Sequence, residues 1–262
     1  MKIYISTDME GVAGVWQSEQ CQKGTPEFAE ARRWLTAEVG AAIEGAREAG
    51  ADEFIAADMH NGSGIFVLDE LPAGVKVLEG VPHAPRFPFL DDSVAAMFCI
   101  GYHAMSGTRA AVLEHTMSGA WQRFMANGCE MGELGIDAAL AGCVGVPVAL
   151  VSGDDKLCAE AKALLGDVES AQVKQGIERH RCLSLTPQDA QALIRDKARA
   201  AVARIGQFKP FDIGSPVVVE LRYSRASDAD MADNEGGQRV DGQTVRWRRA
   251  TIADQFGGLW GP

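Results

Sequence analysis

The sequence has little basic charge to offer a polyanion. Its 25 Lys and Arg are outnumbered by 36 Asp and Glu, and the formal net charge is −11. No long run of Lys and Arg offsets that balance, so phosphate backbones are repelled and nucleic acid is excluded as an expected partner. No apolar run approaches the roughly 20 residues that a membrane-spanning helix needs. The order of a secretory signal (basic start, apolar stretch, small-residue cleavage site) is also missing. Instead Lys2-Ile3-Tyr4-Ile5-Ser6-Thr7 goes directly into a strand pattern. The six cysteines, Cys21, Cys99, Cys129, Cys143, Cys158 and Cys182, contain no C-x-x-C pair. They read as free thiols of a reducing compartment, several of them core residues, rather than as a disulfide framework. These absences together lead to the expectation of a cytoplasmic protein with no membrane partner. Nucleotide fingerprints are lacking too. Gly11-Val12-Ala13-Gly14 follows a strand, but neither G-x-G-x-x-G nor G-x-x-x-x-G-K-[ST] occurs.

What is present is ample apolar material. The 262 residues are 47% hydrophobic and 23% charged, which suffices for a core held by neither disulfides nor a structural metal. Strand patterns at Lys2 to Thr7, Glu53 to Ala57, Val75 to Leu78, Val94 to Ile100 and Pro147 to Val151 alternate with helical patterns at Pro26 to Ala49, Gly132 to Cys143 and Asp155 to Leu165. Trp121 to Met125 and Cys129 to Met131 flank Asn127-Gly128, a favoured type I′ hairpin turn. The alternation predicts an α/β fold: a mainly parallel, doubly wound sheet with helices on both faces. Pro187 to Ile205 reads as a helix, Val217 to Tyr223 as a strand, and Arg239 to Arg248 as a hairpin around Asp241-Gly242. The run Asp212-Ile213-Gly214-Ser215-Pro216 breaks regular structure. It suggests a boundary between a metal-binding catalytic α/β domain, 1–212, and a smaller C-terminal α+β subdomain, 213–262, or a segment of the same domain.

The chemistry-bearing residues gather at strand ends. Asp8 and Glu10 follow the first strand, and residues two apart on an extended chain point the same way. Two carboxylates so aimed repel unless a cation or proton lies between them; the competing reading is a solvated strand end. His60 follows the second strand and His103 the fourth. In a doubly wound sheet, ligands bind outside the carboxyl ends of the strands, so three strands deliver metal-capable groups to one edge. Glu133 opens a helix after the hairpin, where an acidic residue also suits the helix dipole. His115, in Leu113-Glu114-His115-Thr116, is a surface-loop histidine, a ligand or a general acid/base. His83 and His180 lack any such context. Asp8, Glu10, His60, His103 and Glu133 form an oxygen and nitrogen donor set that suits Zn²⁺ best, with Mn²⁺ and Co²⁺ compatible. Five donors exceed the usual three of a single catalytic zinc, whereas a carboxylate bridging two ions roughly 3.5–4 Å apart accounts for the number.

Ser6-Thr7-Asp8-Met9-Glu10-Gly11 resembles the opening motif of the bacterial D-aminopeptidase family of binuclear zinc peptidases. The resemblance continues through Asp58-Met59-His60-Asn61, Gly101-Tyr102-His103-Ala104, His115-Thr116, Asn127 and Gly132-Glu133-Leu134-Gly135. It extends to Val151-Ser152-Gly153-Asp154-Asp155 and Val173-Lys174-Gln175, and so covers most of residues 1 to about 185. It implies a zinc-dependent aminopeptidase with two Zn²⁺ per subunit, acting on small peptides with a free N-terminal residue, D-amino acids above all, through a two-metal hydroxide mechanism. It further implies that Asp8 bridges the metals, that Glu10 and His60 complete one site and that His103 and Glu133 complete the other. His115 becomes the catalytic acid/base, and the assembly a self-compartmentalising, ring-shaped homodecamer around an internal chamber. Two departures fall near the C-terminus: Asn234-Glu235-Gly236-Gly237 replaces an expected Pro-Gly turn, and Leu259-Trp260-Gly261-Pro262 stands where a longer helix is expected. The same donor set would serve a metal-dependent amidase or deacylase on a small non-peptide substrate. A non-catalytic peptide-binding or metal-storage protein is the rival from outside enzymology. An aspartyl-phosphate phosphatase would want a second Asp where Glu10 stands.

Overall fold

The computed structural model describes residues 1–80, 85–233 and 236–257. His83, Asn234, Glu235 and the run Leu259 to Pro262, which figure in the sequence reading, lie outside the described residues. In chain order the elements are β1 (Lys2–Thr7), α1 (Pro26–Glu48), β2 (Glu53–Asp58), β3 (Val75–Leu78), β4 (Val94–Tyr102), β5 (Trp121–Ala126) and β6 (Cys129–Glu130). Then come α2 (Glu133–Gly142), β7 (Val148–Asp154), α3 (Asp155–Leu165), β8 (Glu169–Glu178), β9 (Arg181–Ser184) and α4 (Pro187–Ala203). The chain closes with β10 (Val217–Tyr223), α5 (Ala226–Asp233), β11 (Gln238–Arg239) and β12 (Thr244–Arg249).

The main sheet has seven strands in the order β3-β2-β1-β4-β7-β8-β9. Every neighbouring pair is parallel except β8 with β9. The α/β class and the mainly parallel sheet therefore stand as read. β1 and β4 are buried on both faces, as strands of a doubly covered sheet must be. One face is covered by α1 and α4. The helix α1 starts at Pro26 behind Thr25, whose hydroxyl accepts from the Phe28 amide at 3.1 Å. Its buried stripe of Phe28, Ala31, Leu35, Val39, Ala42, Ile43 and Ala46 lies over Ile3 and Ile5. Each large aliphatic in that stripe stabilises the fold by about 1.5–3 kcal/mol on burial. The other face packs Tyr4, Met97, Cys99 and Val151 against Leu134 and Ile136 of α2, Leu157 and Ala161 of α3, and a second sheet.

That second sheet is antiparallel, in the order β11-β12-β10-β5-β6. Asn127 and Gly128, at φ 46° and 79°, join β5 to β6 with the two left-handed residues that a type I′ turn requires. β10 pairs with β5, from Val219 opposite Ala126 to Tyr223 opposite Trp121. The boundary drawn at residue 212 therefore does not separate two sheets. The C-terminal strands need β5 to satisfy their backbone groups, and β5, β6, β10, β11 and β12 build one layer. Asn127 reinforces the seam, donating to Ile213 O at 2.9 Å and accepting from the Val218 amide at 2.8 Å. No helix among the described residues is long and apolar enough to cross a membrane.

Candidate metal centre

The chain runs outward from β1 to β2 and β3, then returns to the other side of β1 with β4. This reversal opens a crevice at the carboxyl ends of β1 and β4, where α/β sheets bind ligands. Asp8 and Glu10 leave β1 at that point and His103 leaves β4. Two glycines let the strand ends touch. A Cβ on Gly11 would lie 1.9 Å from Tyr102 O, and one on Gly101, at φ +75°, would lie 2.1 Å from Asp8 O. Only glycine tolerates both approaches, and the contact is sealed by the Gly11 amide donating to Gly101 O at 2.7 Å.

Three other segments close on the crevice. His60 follows β2 in a turn whose amides are gathered by Asp58. That carboxylate accepts from His60 N at 3.0 Å, Gly64 N at 2.8 Å and Ile65 N at 3.3 Å. Glu133 begins α2 but points inward and is 6% exposed, so its role as a dipole-compensating surface residue does not describe it. Its Oε1 accepts from the Met117 amide at 2.8 Å. His115 sits in a tightly bent segment in which Ala110, Leu113 and Met117 all have positive φ, 60°, 52° and 59°. Non-glycine residues adopt that conformation at a cost, and such strain concentrates at sites where geometry must be held. Asp154 helps to hold it, accepting from Val112 N at 2.9 Å.

The six side chains converge. Asp8 Oδ1 lies 2.9 Å from His60 Nδ1, and Asp8 Oδ2 lies 3.3 Å from His103 Nε2. Glu10 Oε2 is 3.3 Å from His60 Nδ1, and Glu133 Oε1 is 3.3 Å from His103 Nε2. Asp8 thus stands between two pairs, with one oxygen turned toward each. His115 Nε2 is 3.5 Å from Glu133 Oε1, and its ring stacks on His103 at 4.0 Å between centroids. In every imidazole one nitrogen faces a backbone carbonyl: His60 Nε2 faces Cys21 O at 2.8 Å, His103 Nδ1 faces Ala104 O at 2.9 Å, and His115 Nδ1 faces Leu113 O at 3.0 Å. That carbonyl fixes the ring and tautomer, and leaves the opposite nitrogen as a donor of electrons toward the centre.

Electrostatics make the same demand for a cation. Burial would push the His60 imidazole down, but the Glu10 and Asp8 carboxylates raise it to about 12. Burial works likewise against His103, and the Asp8 and Glu133 carboxylates, each 3.3 Å from its Nε2, hold it well above its ordinary value. Burial opposes ionisation of Asp8 as well, yet His103 and His60 hold its carboxyl well below the usual range. Within this cluster two buried polar atoms, Glu10 Oε2 and His103 Nε2, have no hydrogen-bond partner among the described residues. Orphaned atoms of opposite kinds, both aimed inward, fit a divalent cation that replaces the imidazolium protons. Two overlapping sets can close around an ion: Asp8, Glu10 and His103, and His103, His115 and Glu133.

Several supporting residues gave no sequence signal. Arg86 donates to Asp137 at 2.6 and 3.0 Å and stands 3.8 Å from Glu133 Oε2. Tyr102 O–H also donates to Asp137, at 2.6 Å, so one buried network backs the Glu133 helix. Cys21 contributes through its carbonyl, which no residue-type pattern reveals. His180 is exposed in the turn between β8 and β9.

A family model, Peptidase_M55 (D-aminopeptidase), matches residues 1–260. The chain is 30% identical over 241 residues to a D-aminopeptidase of Bacillus subtilis (strain 168), covering 92% of this chain and 88% of that one. Its fold superposes with a TM-score of 0.94 on the structure of the Zn-dependent D-aminopeptidase DppA from Bacillus subtilis, a self-compartmentalizing protease. That match has 28% identity and covers 98% of this chain and 94% of the other. This chain belongs to the D-aminopeptidase family of peptidases.

Proposed function

We propose that this chain is a zinc-dependent aminopeptidase that removes an N-terminal D-amino acid from short peptides, with two zinc ions per subunit. The observation that carries the reading is the crevice itself, where Asp8, Glu10, His60, His103 and Glu133 point inward around orphaned polar atoms. In this reading Asp8, Glu10 and His60 would hold one ion, and Asp8, His103 and Glu133 would hold the other. Mn²⁺ and Co²⁺ suit the same donors. Zinc held there supplies Lewis acidity toward a substrate carbonyl and a nucleophile at neutral pH.

The remaining steps belong to the chain. His103 is enclosed, with 1% of its side chain exposed, whereas 27% of His115 is open. His115 is therefore the imidazole that a substrate can reach. With Nδ1 tied to Leu113 O, its Nε2 is the atom that takes a proton and passes it to the leaving amine. The strained Ala110–Met117 segment orients that nitrogen over Glu133. Assembly as a ring-shaped homodecamer around a chamber, in the cytoplasm, completes the reading and is supported by the family resemblance and by the self-compartmentalizing relative. Two variants test the assignment. Glu133→Gln loses one zinc per chain, counted by plasma mass spectrometry. His115→Ala keeps both and loses turnover. Wild-type kcat in His115→Ala would refute the proton-transfer role.

A further inference from the structure

Lys174, on β8, lies outside the donor set. Lys174 is only 2% exposed. It projects from β8 into the interior beneath the turn that joins β1 to α1. Its ammonium donates to Glu10 O at 2.5 Å, Val12 O at 2.9 Å and Val15 O at 2.7 Å. An ammonium has three protons and no acceptor capacity, so every donor is used, and all on one turn. Among the described residues no carboxylate makes an ion pair with it, and Asp154 and Glu38 act only at longer range.

Burying a charge in this way costs several kcal/mol even after relaxation. A methionine of similar length would fill the space without that cost, so packing does not explain a lysine. The turn does. Glu10, Val12 and Val15 are buried yet belong to no helix or strand; Val12 O also accepts from the Val15 amide at 3.1 Å, whereas the Glu10 and Val15 carbonyls have no other donor among the described residues. Other groups hold the same turn from other sides. Glu38 on α1 accepts from the Ala13 amide at 2.9 Å, and Ser184 on β9 accepts from the Gly14 amide at 2.8 Å. Among the described residues Lys174 alone donates to the backbone carbonyl of Glu10, the residue whose carboxylate enters the crevice. Fixing the Glu10 carbonyl fixes the peptide plane from which that side chain springs, and Glu10 Oε2 is the orphaned oxygen 3.3 Å from His60.

We infer that Lys174 is a positioning residue for the metal centre: its buried ammonium locks the Glu10–Val15 turn so that Glu10 is presented to a cation already oriented. The inference rests on the reading of Glu10 as a ligand. Supporting groups of this kind, one step removed from a metal, typically change its affinity 10–100-fold when replaced.

The test is zinc titration of the intact chain against a chromophoric chelator, alongside thermal unfolding of the zinc-free protein. Lys174→Met is expected to bind one of its two zinc ions about 10–100-fold more weakly and the other as the wild type does. Lys174→Gln, which keeps two N–H donors without the charge, is expected to lose less. It also decides the matter if the methionine variant does not fold. A core lysine with a purely structural role would lower the zinc-free Tm and leave both zinc affinities unchanged, and that result overturns the inference. Glu10→Gln separates the two levels. If it too leaves zinc binding unchanged, the ligand reading fails. If it weakens binding while both Lys174 variants do not, the positioning role alone fails.

Discussion

Loading the zinc-free protein with metal at pH 8 should expel protons that ordinary histidines would not be carrying. An imidazole at its ordinary value of about 6.5 is only about 3% protonated at that pH and would release almost nothing. Here the carboxylates of Glu10 and Asp8 raise His60 to about 12, and Asp8 and Glu133 hold His103 well above its ordinary value. Both rings therefore keep their protons to higher pH than ordinary imidazoles do, and a zinc ligand must be neutral. The expected release is about two protons per chain, one per ion, and each affinity should fall about tenfold per unit of decreasing pH through the neutral range. Calorimetric titration in buffers of different ionisation enthalpy counts those protons. Release by bound water adds to the count, so the informative quantity is a difference. His60→Ala should release about one proton fewer than the wild type. Equal proton counts for wild type and variant at pH 8 would refute the account of a site held together, before metal arrives, by imidazolium.

Two further expectations concern buried charge outside the donor set. Burial raises the Glu38 carboxyl from 4.5 to about 7, against the pull of the Ala13 amide and Lys174. A raised carboxyl favours the folded state below the unfolded value and loses that contribution as pH rises through the folded value. Glu38→Gln should therefore gain about 3 kcal/mol relative to wild type between pH 4.5 and pH 8, measured by urea unfolding of the zinc-free protein. A pH-independent difference would contradict it. Arg86→Met leaves the buried Asp137 carboxylate without its cation and should cost about 3–5 kcal/mol. Adding Asp137→Leu should recover much of that loss, and no recovery would show that the pair is not the source.

The main sheet was legible because its strands carry strong apolar runs. Val94 to Ile100 and Pro147 to Val151 are covered on both faces, and such strands read as continuous hydrophobic segments. β8 escaped recognition as a strand for the opposite reason. Its sequence Glu-Ser-Ala-Gln-Val-Lys-Gln-Gly-Ile-Glu is largely polar, and its buried lysine draws its partners from a turn about 160 residues away. α5 was missed because Ala226–Asp233 is short and rich in acidic and small residues, with only Ala229 and Ala232 buried among its described side chains. The division at residue 212 followed a real break in regular structure, but pairing of β10 with β5 spans about 95 residues and has no local signature. The donor residues themselves were accessible to reasoning because strand ends in a parallel sheet share an edge. The carbonyls of Cys21, Ala104 and Leu113 that set their tautomers were not, since every residue has a carbonyl.

The central claim is best tested by hydrolysis of D-alanyl and L-alanyl amides, comparing zinc-loaded protein with chelator-stripped protein. The account predicts zinc-dependent cleavage with a preference for the D form, abolished by the chelator and restored by zinc. Cleavage that survives removal of the metal, or fully zinc-loaded protein that cleaves neither amide, would contradict it.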